Sequence, residues 1–122
     1  MALRYLFDEH LRGELWRAVG THNAHAADAL DVVRVGDPSD LPLSSSDPDI
    51  LLWAERAGRV VVSRDRRTMI GDLLTHLAAG RGSPGLFVIR RRARLADVLS
   101  FLVEAARTGD DDQWRDQVVF IP

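Results

Sequence analysis

The chain of 122 residues is long enough to take roughly two-thirds of its unfolded surface out of water, and it is read as a single domain over residues 1–122. Hydrophobic residues at 46% and charged residues at 28% exclude a disordered chain, and the absence of cysteine excludes disulfides, thiolate catalysis and Cys-type zinc sites. A net charge of -2 argues against wholesale coating of a nucleic-acid backbone.

The chain enters at once on an apolar run at 3–7 of strand length, with no basic, apolar and small-residue zones of a signal peptide before it. No apolar run reaches membrane-spanning length, so the expectation is a cytoplasmic protein with no membrane partner. Leu11, Leu15 and Val19 then fall on one face of a helix, which completes a first strand–helix unit. A β-branched second strand at 31–35 stops at Gly36-Asp37-Pro38, and a polar loop follows over 39–46.

Asp47-Pro48-Asp49-Ile50-Leu51 opens a second helix with Ile50, Leu51, Ala54 and Ala57 facing inward, and Gly58 ends it. A third strand, 59–63, comes immediately after. A helix beyond Arg67 carries Ile70, Leu73, Leu74 and Leu77 inward and closes near Gly80. The piece from Gly80 to Gly85 follows a helix and lacks Gly-Lys-Ser/Thr, so it reads as a turn and not a phosphate loop. A fourth strand at 86–89, an amphipathic helix through Leu95, Val98, Leu99, Leu102 and Ala106, and a fifth strand at 117–121 complete the order. Alternating strands and helices, with mostly continuous apolar strands, predict an α/β fold: a three-layer α/β/α sandwich on a mostly parallel sheet of about five strands.

In such a sheet ligands bind beyond the carboxyl ends of the strands, so acids at strand ends carry the most information. Asp8 and Glu9 follow the first strand, Asp65 follows the third, and Asp47 with Asp49 opens the helix leading to the third. Local pattern favours a cap for Asp47, a capping box for Ser46 with Asp49, and helix-terminus or cap roles for Glu9 and Asp65. Asp8 gains nothing obvious from its position unless a cation stands beside it. Clustered carboxylates repel one another; Mg²⁺ or Mn²⁺ relieves the repulsion, binds phosphate oxygens and activates water for in-line attack. Asp8 and Asp65 are therefore the first candidate ligands.

The other candidates are weaker. His22 and His25 are spaced i, i+3 with His10 near in sequence, but no third zinc ligand is assured and a helix end is the plainer place for them. Ser44-Ser45-Ser46 has no nucleophile motif around it, and Asp110-Asp111-Asp112 reads as a solvated turn. All 16 basic residues are arginine, four of them within Arg90-Arg91-Arg92-Ala93-Arg94, where a solvated strand end and phosphate binding are both open.

The succession Tyr5-Leu6-Phe7-Asp8-Glu9-His10-Leu11, Asp31-Val32-Val33-Arg34-Val35, Ser46-Asp47-Pro48-Asp49-Ile50-Leu51 and Arg59-Val60-Val61-Val62-Ser63-Arg64-Asp65 resembles a small PIN-like family. That family carries Leu-Leu-Asp-Glu-Asn-Leu, Ser-Asp-x-x-Ile-Leu and Val-Thr-Arg-Asp-x-Asp-Phe in this order. The resemblance implies a PIN-like sandwich whose acids hold Mg²⁺ or Mn²⁺ to hydrolyse RNA. It also implies a toxin neutralised by a small cognate antitoxin, and a homodimer. Matched by position, Asp8, Asp47 and Asp65 are the catalytic and metal-binding acids, and Glu9 matches an acid of unassigned role. The second acid of the late motif is here Arg67, and the aromatic after it is Thr68. Either Asp8, Asp47 and Asp65 suffice, or Glu9, Asp49 or Asp72 substitutes, or hydrolysis is lost and a binding protein remains. Arg64, Arg66 and Arg67 are the candidate phosphate contacts. A phospho-receiver shares the length and the acids after the first strand, but it wants a lysine after the last strand and the sequence has none.

Overall fold

The structure, a computed structural model, describes residues 2–108, 110 and 112–122; Asp111 of the acidic run lies outside them. The elements run β1 (Arg4–Phe7), α1 (Glu14–His25), β2 (Asp31–Arg34), α2 (Asp47–Ala57), β3 (Val60–Ser63), α3 (Thr68–Ala78), β4 (Leu86–Ile89), α4 (Leu95–Thr108) and β5 (Val118–Ile121). The described residues form a five-stranded, all-parallel sheet in the order β2-β1-β3-β4-β5 with helices on both faces, a three-layer α/β/α sandwich. None of their helices is long and apolar enough to cross a membrane.

Alternation along the central strands divides the core in two. Tyr5, Phe7, Val60, Val62, Phe87 and Ile89 meet Leu15, Val19, Val98 and Leu102 of α1 and α4. Leu6, Val61, Leu86 and Val88 meet Ile50, Leu51, Ala54, Met69 and Leu73 of α2 and α3. Because β1, β3 and β4 are covered on both sides, nearly every residue in them is apolar, each buried valine contributing about 1.5–3 kcal/mol over an exposed one.

Order and faces together fix the winding. The step from β3 to β4 and the step from β4 to β5 move the same way along the sheet, yet α3 lies on one face and α4 on the other. Those two crossovers therefore have opposite hands. The connections through α1, α2 and α3 share one hand, which the general rule makes right-handed, so the last is the exception. Its consequence is local: on the α2/α3 face no further helix among the described residues follows α3 to cover β5, and Phe120 near the end of that edge strand is 37% exposed.

Several expectations are corrected in detail. Leu74 is exposed, because the buried stripe of α3 runs through Met69 and Leu73 with Ile70 and Leu77 at its margins. Ala57 is only half-buried, and Leu11, though in the core, precedes α1. The residue that caps α2 is Ser46, whose hydroxyl accepts the Asp49 N–H at 3.3 Å; Asp47 is instead the first helical residue. His22 and His25 do lie at a helix end, in the last turn of α1, and the Gly80 to Gly85 segment does form the turn between α3 and β4.

Candidate active site

The strand order changes direction at β1, which has β2 on one side and β3 on the other, so the crevice beyond the carboxyl ends of β1 and β3 is the topological switch point. Period two carries the same face forward from the core. Asp8 follows Leu6 and Ser63 follows Val61, both toward α2 and α3, and the chain bends after Ser63 to bring Asp65 against Thr68; the first residues of those two helices, Asp47 and Thr68, start at the same edge.

Two hydroxyls join these acids into one chain of contacts. Asp8 is buried, 6% exposed, and its Oδ2 accepts the hydroxyl of Ser63 at 2.8 Å. Ser63 is wholly buried, and its Oγ in turn accepts the Asp65 N–H at 2.9 Å, so its hydrogen is committed to Asp8. Asp65 Oδ1 accepts the N–H groups of Arg67 at 2.9 Å and Thr68 at 3.0 Å, which makes Asp65 the side chain that tethers the start of α3. Thr68 Oγ1 lies 2.9 Å from Asp47 Oδ2 and in closer contact with Asp65 Oδ2.

One hydroxyl hydrogen cannot satisfy two ionised carboxylates, and the surroundings push the two acids apart. Burial, opposed by the Thr68 hydroxyl and reinforced by the charges of Asp65, Asp72 and Asp8, holds the Asp47 carboxyl above its ordinary range. The Thr68 hydroxyl holds Asp65 below its ordinary range, helped against partial burial by the N–H groups of Arg67, Thr68 and Met69. Asp47 is thus the member that takes up a proton first.

Arginine does not neutralise the cluster. Among the described residues, none of Asp8, Glu9, Asp47, Asp49, Asp65 or Asp72 makes an ion pair, although Arg64, Arg66 and Arg67 flank Asp65. Arg64, on the opposite parity, lines a cavity of about 190 Å³ with Leu15, Ile89 and Val98 on the α1/α4 side. Arg66 reaches over Phe120, and Arg67 is exposed. Glu9 turns to the polar loop, where its Oε1 accepts the N–H of Ser44, a residue in left-handed backbone. Asp49 is exposed and serves the Ser46 cap through its backbone. The candidates therefore separate: Asp8, Asp47 and Asp65 are linked, whereas Glu9, Asp49 and Arg64 point elsewhere.

Carboxylate and hydroxyl oxygens are the donors a hard cation takes, which suits Mg²⁺ or Mn²⁺ and not a soft metal. As the side chains stand, no three His, Asp or Glu residues among those described are gathered closely enough to enclose an ion. Mg²⁺ is commonly held by one or two carboxylates and completed by water and substrate phosphate, a demand that Asp8 with Asp65 or Asp47 meets in donor type.

Sequence reasoning missed Ser63 and Thr68. A hydroxyl closing the wholly buried run Val60-Val61-Val62 was a signal for the first; the second faces an acid 21 residues away and left none. Neither a protein-family model nor a curated protein nor a solved structure matches this chain.

Proposed function

We propose that the chain is a metal-dependent ribonuclease, hydrolysing phosphodiester bonds of RNA at Asp8, Asp65 and Asp47 with Mg²⁺ or Mn²⁺. The observation that carries this reading is the buried, Ser63-oriented Asp8 at the switch point, linked to acids that, among the described residues, pair with no arginine. The cation, when bound, supplies charge for phosphate oxygens and a more acidic water. The chain's own residues do the remainder. Ser63 fixes one oxygen of Asp8 and leaves the other to a ligand, while Asp65 is held still by the first N–H groups of α3. Asp47 completes or orients the site and, with its raised carboxyl on the Thr68 hydroxyl, can hold a proton at its Oδ2. The toxin role, the cognate antitoxin, the homodimer and a place in the cytoplasm belong to the same proposal and rest on the PIN-like resemblance.

One observation favours a second reading, a PIN-like binding protein without hydrolysis: both oxygens of Asp65 are engaged by α3 and Thr68, and Arg67 stands where the resemblance expects an acid. The strand order also belongs to doubly wound folds that include phospho-receivers, but the sequence has no lysine for that chemistry. Asp8→Asn and Asp65→Asn separate the readings. Each is expected to abolish Mn²⁺-dependent cleavage of RNA with the circular dichroism unchanged, melting holding in Asp8→Asn and falling modestly in Asp65→Asn, which loses part of the tether of α3; full activity in either variant excludes the nuclease assignment.

A further inference from the structure

The same edge of the sheet changes character two strands away. Beyond β4 and β5 the exposed Arg66 and Arg90 stand at the exposed ring of Phe120, and Arg91, Arg92 and Arg94, also exposed, follow Arg90 in the chain. The guanidinium carbons of Arg66 and Arg90 lie 5.7 and 6.0 Å from the ring centroid. A different pairing shows what a closed structural contact looks like in this protein: Arg34 sits 4.1 Å over Trp16 and is bound by Asp37 at 3.0 Å. Arg66 and Arg90 lie over their ring at longer range; among the described residues Arg66 pairs with no Asp or Glu, and Arg90 spends its Nε on the Pro122 oxygen at 3.2 Å, which leaves its terminal N–H groups for a ligand. Phe120 is left open because α4 crosses to the other face.

We propose that Phe120, with Arg66 and Arg90 beside it, is a platform for single-stranded RNA: one base stacks on the ring and the adjoining phosphates meet the two guanidinium groups. This rests on the reading of the acidic cluster as a phosphodiester-cleaving site and says how a polyanion reaches it. Three neighbouring carboxylates repel phosphate, so a cationic hold nearby must deliver the strand. Register places Phe120 opposite Val88 on the α2/α3 face, about 10 Å or two strand spacings from Ser63, and Arg66 is the next residue to Asp65, which bonds to Ser63. A flat ring between forked cations takes any base face and two phosphates, the combination that single strands use; paired bases are already stacked and have no face to offer.

The test is the fluorescence anisotropy of a labelled, mixed-sequence RNA oligonucleotide with the whole chain in EDTA, which removes cleavage from the measurement. Phe120→Ala is expected to weaken single-strand binding about tenfold, and Phe120→Trp to retain it. Arg66→Ala combined with Arg90→Ala should lower the salt slope by about 1.4 for the two phosphates. A duplex of the same sequence should be insensitive to Phe120→Ala. Equal binding by the parent and a folded Phe120→Ala variant, or no binding of single strands by the parent, as expected if this face serves a protein partner, overturns the proposal. Metal-dependent cleavage is scored separately: an active parent whose binding ignores Phe120 fails the platform alone, and a Phe120-dependent binder inert with Mn²⁺ fails the nuclease reading alone.

Discussion

The two edges of the sheet treat charge in opposite ways. At the amino edge the ionic groups are paired and tied to backbone. Arg59 meets Asp31 at 2.8 Å and the carbonyl of Tyr5 at 3.1 Å, Arg4 donates to the carbonyl of Ala57, and Glu55 lies 3.7 Å from Arg81 while accepting the N–H of Gly82. At the carboxyl edge Asp8, Asp47 and Asp65 meet only hydroxyls and amides, and they repel one another. The first arrangement holds elements together. The second leaves the ionised form of Asp47 disfavoured by burial and by neighbouring carboxylates, a repulsion that a bound cation would relieve.

Substitutions that exchange the two behaviours give the largest effects. Asp8→Asn keeps the shape and an acceptor for Ser63, so cleavage should fall at least about a hundredfold with little change in melting. Arg59→Ala should do the reverse, costing about 1–3 kcal/mol in denaturant unfolding while activity per folded molecule stays. Ser63→Ala lies between them: Asp8 loses its orienting donor, and roughly a tenfold drop in cleavage should accompany a modest loss of stability.

The smallest effect is the most specific to the carboxyl edge. A carboxyl whose folded pKa is raised binds more protons folded than unfolded, so its contribution to stability is full below the ordinary value and is lost as pH rises through the raised one. Asp47→Asn should therefore stabilise the protein at neutral pH by less than about 1 kcal/mol, and the gain should vanish on acidification. Asp65 has the opposite sign. Its lowered pKa gives stability present above the ordinary value and lost as pH falls through the folded one, so Asp65→Asn should flatten the acid limb of the stability profile.

Much of the edge could be read from spacing alone. The apolar run Val60-Val61-Val62 implies burial on both faces, and counting by two from Val61 puts Ser63 on one side, just as counting from Leu6 puts Asp8 there; Asp65 lies past the strand end, where the bend after Ser63 places it. What failed depended on single-residue shifts or on distant packing. Ser46 and Asp47 are both good caps, and only the backbone decides which one is spent on α2, leaving Asp47 free to face Thr68. Leu74 fits a helical pattern but lies beyond the stripe that α3 buries. The exposure of Phe120 follows from the face that α4 takes, and nothing in the run Val118-Val119-Phe120-Ile121 tells an open aromatic from a covered one.

The proposed cation at the carboxyl edge is tested by calorimetric titration of Mn²⁺ into the whole chain at neutral pH. One ion should bind in the micromolar to millimolar range and be lost in Asp8→Asn. Absence of binding in the parent, or equal binding in Asp8→Asn, would overturn the assignment of a metal site to Asp8.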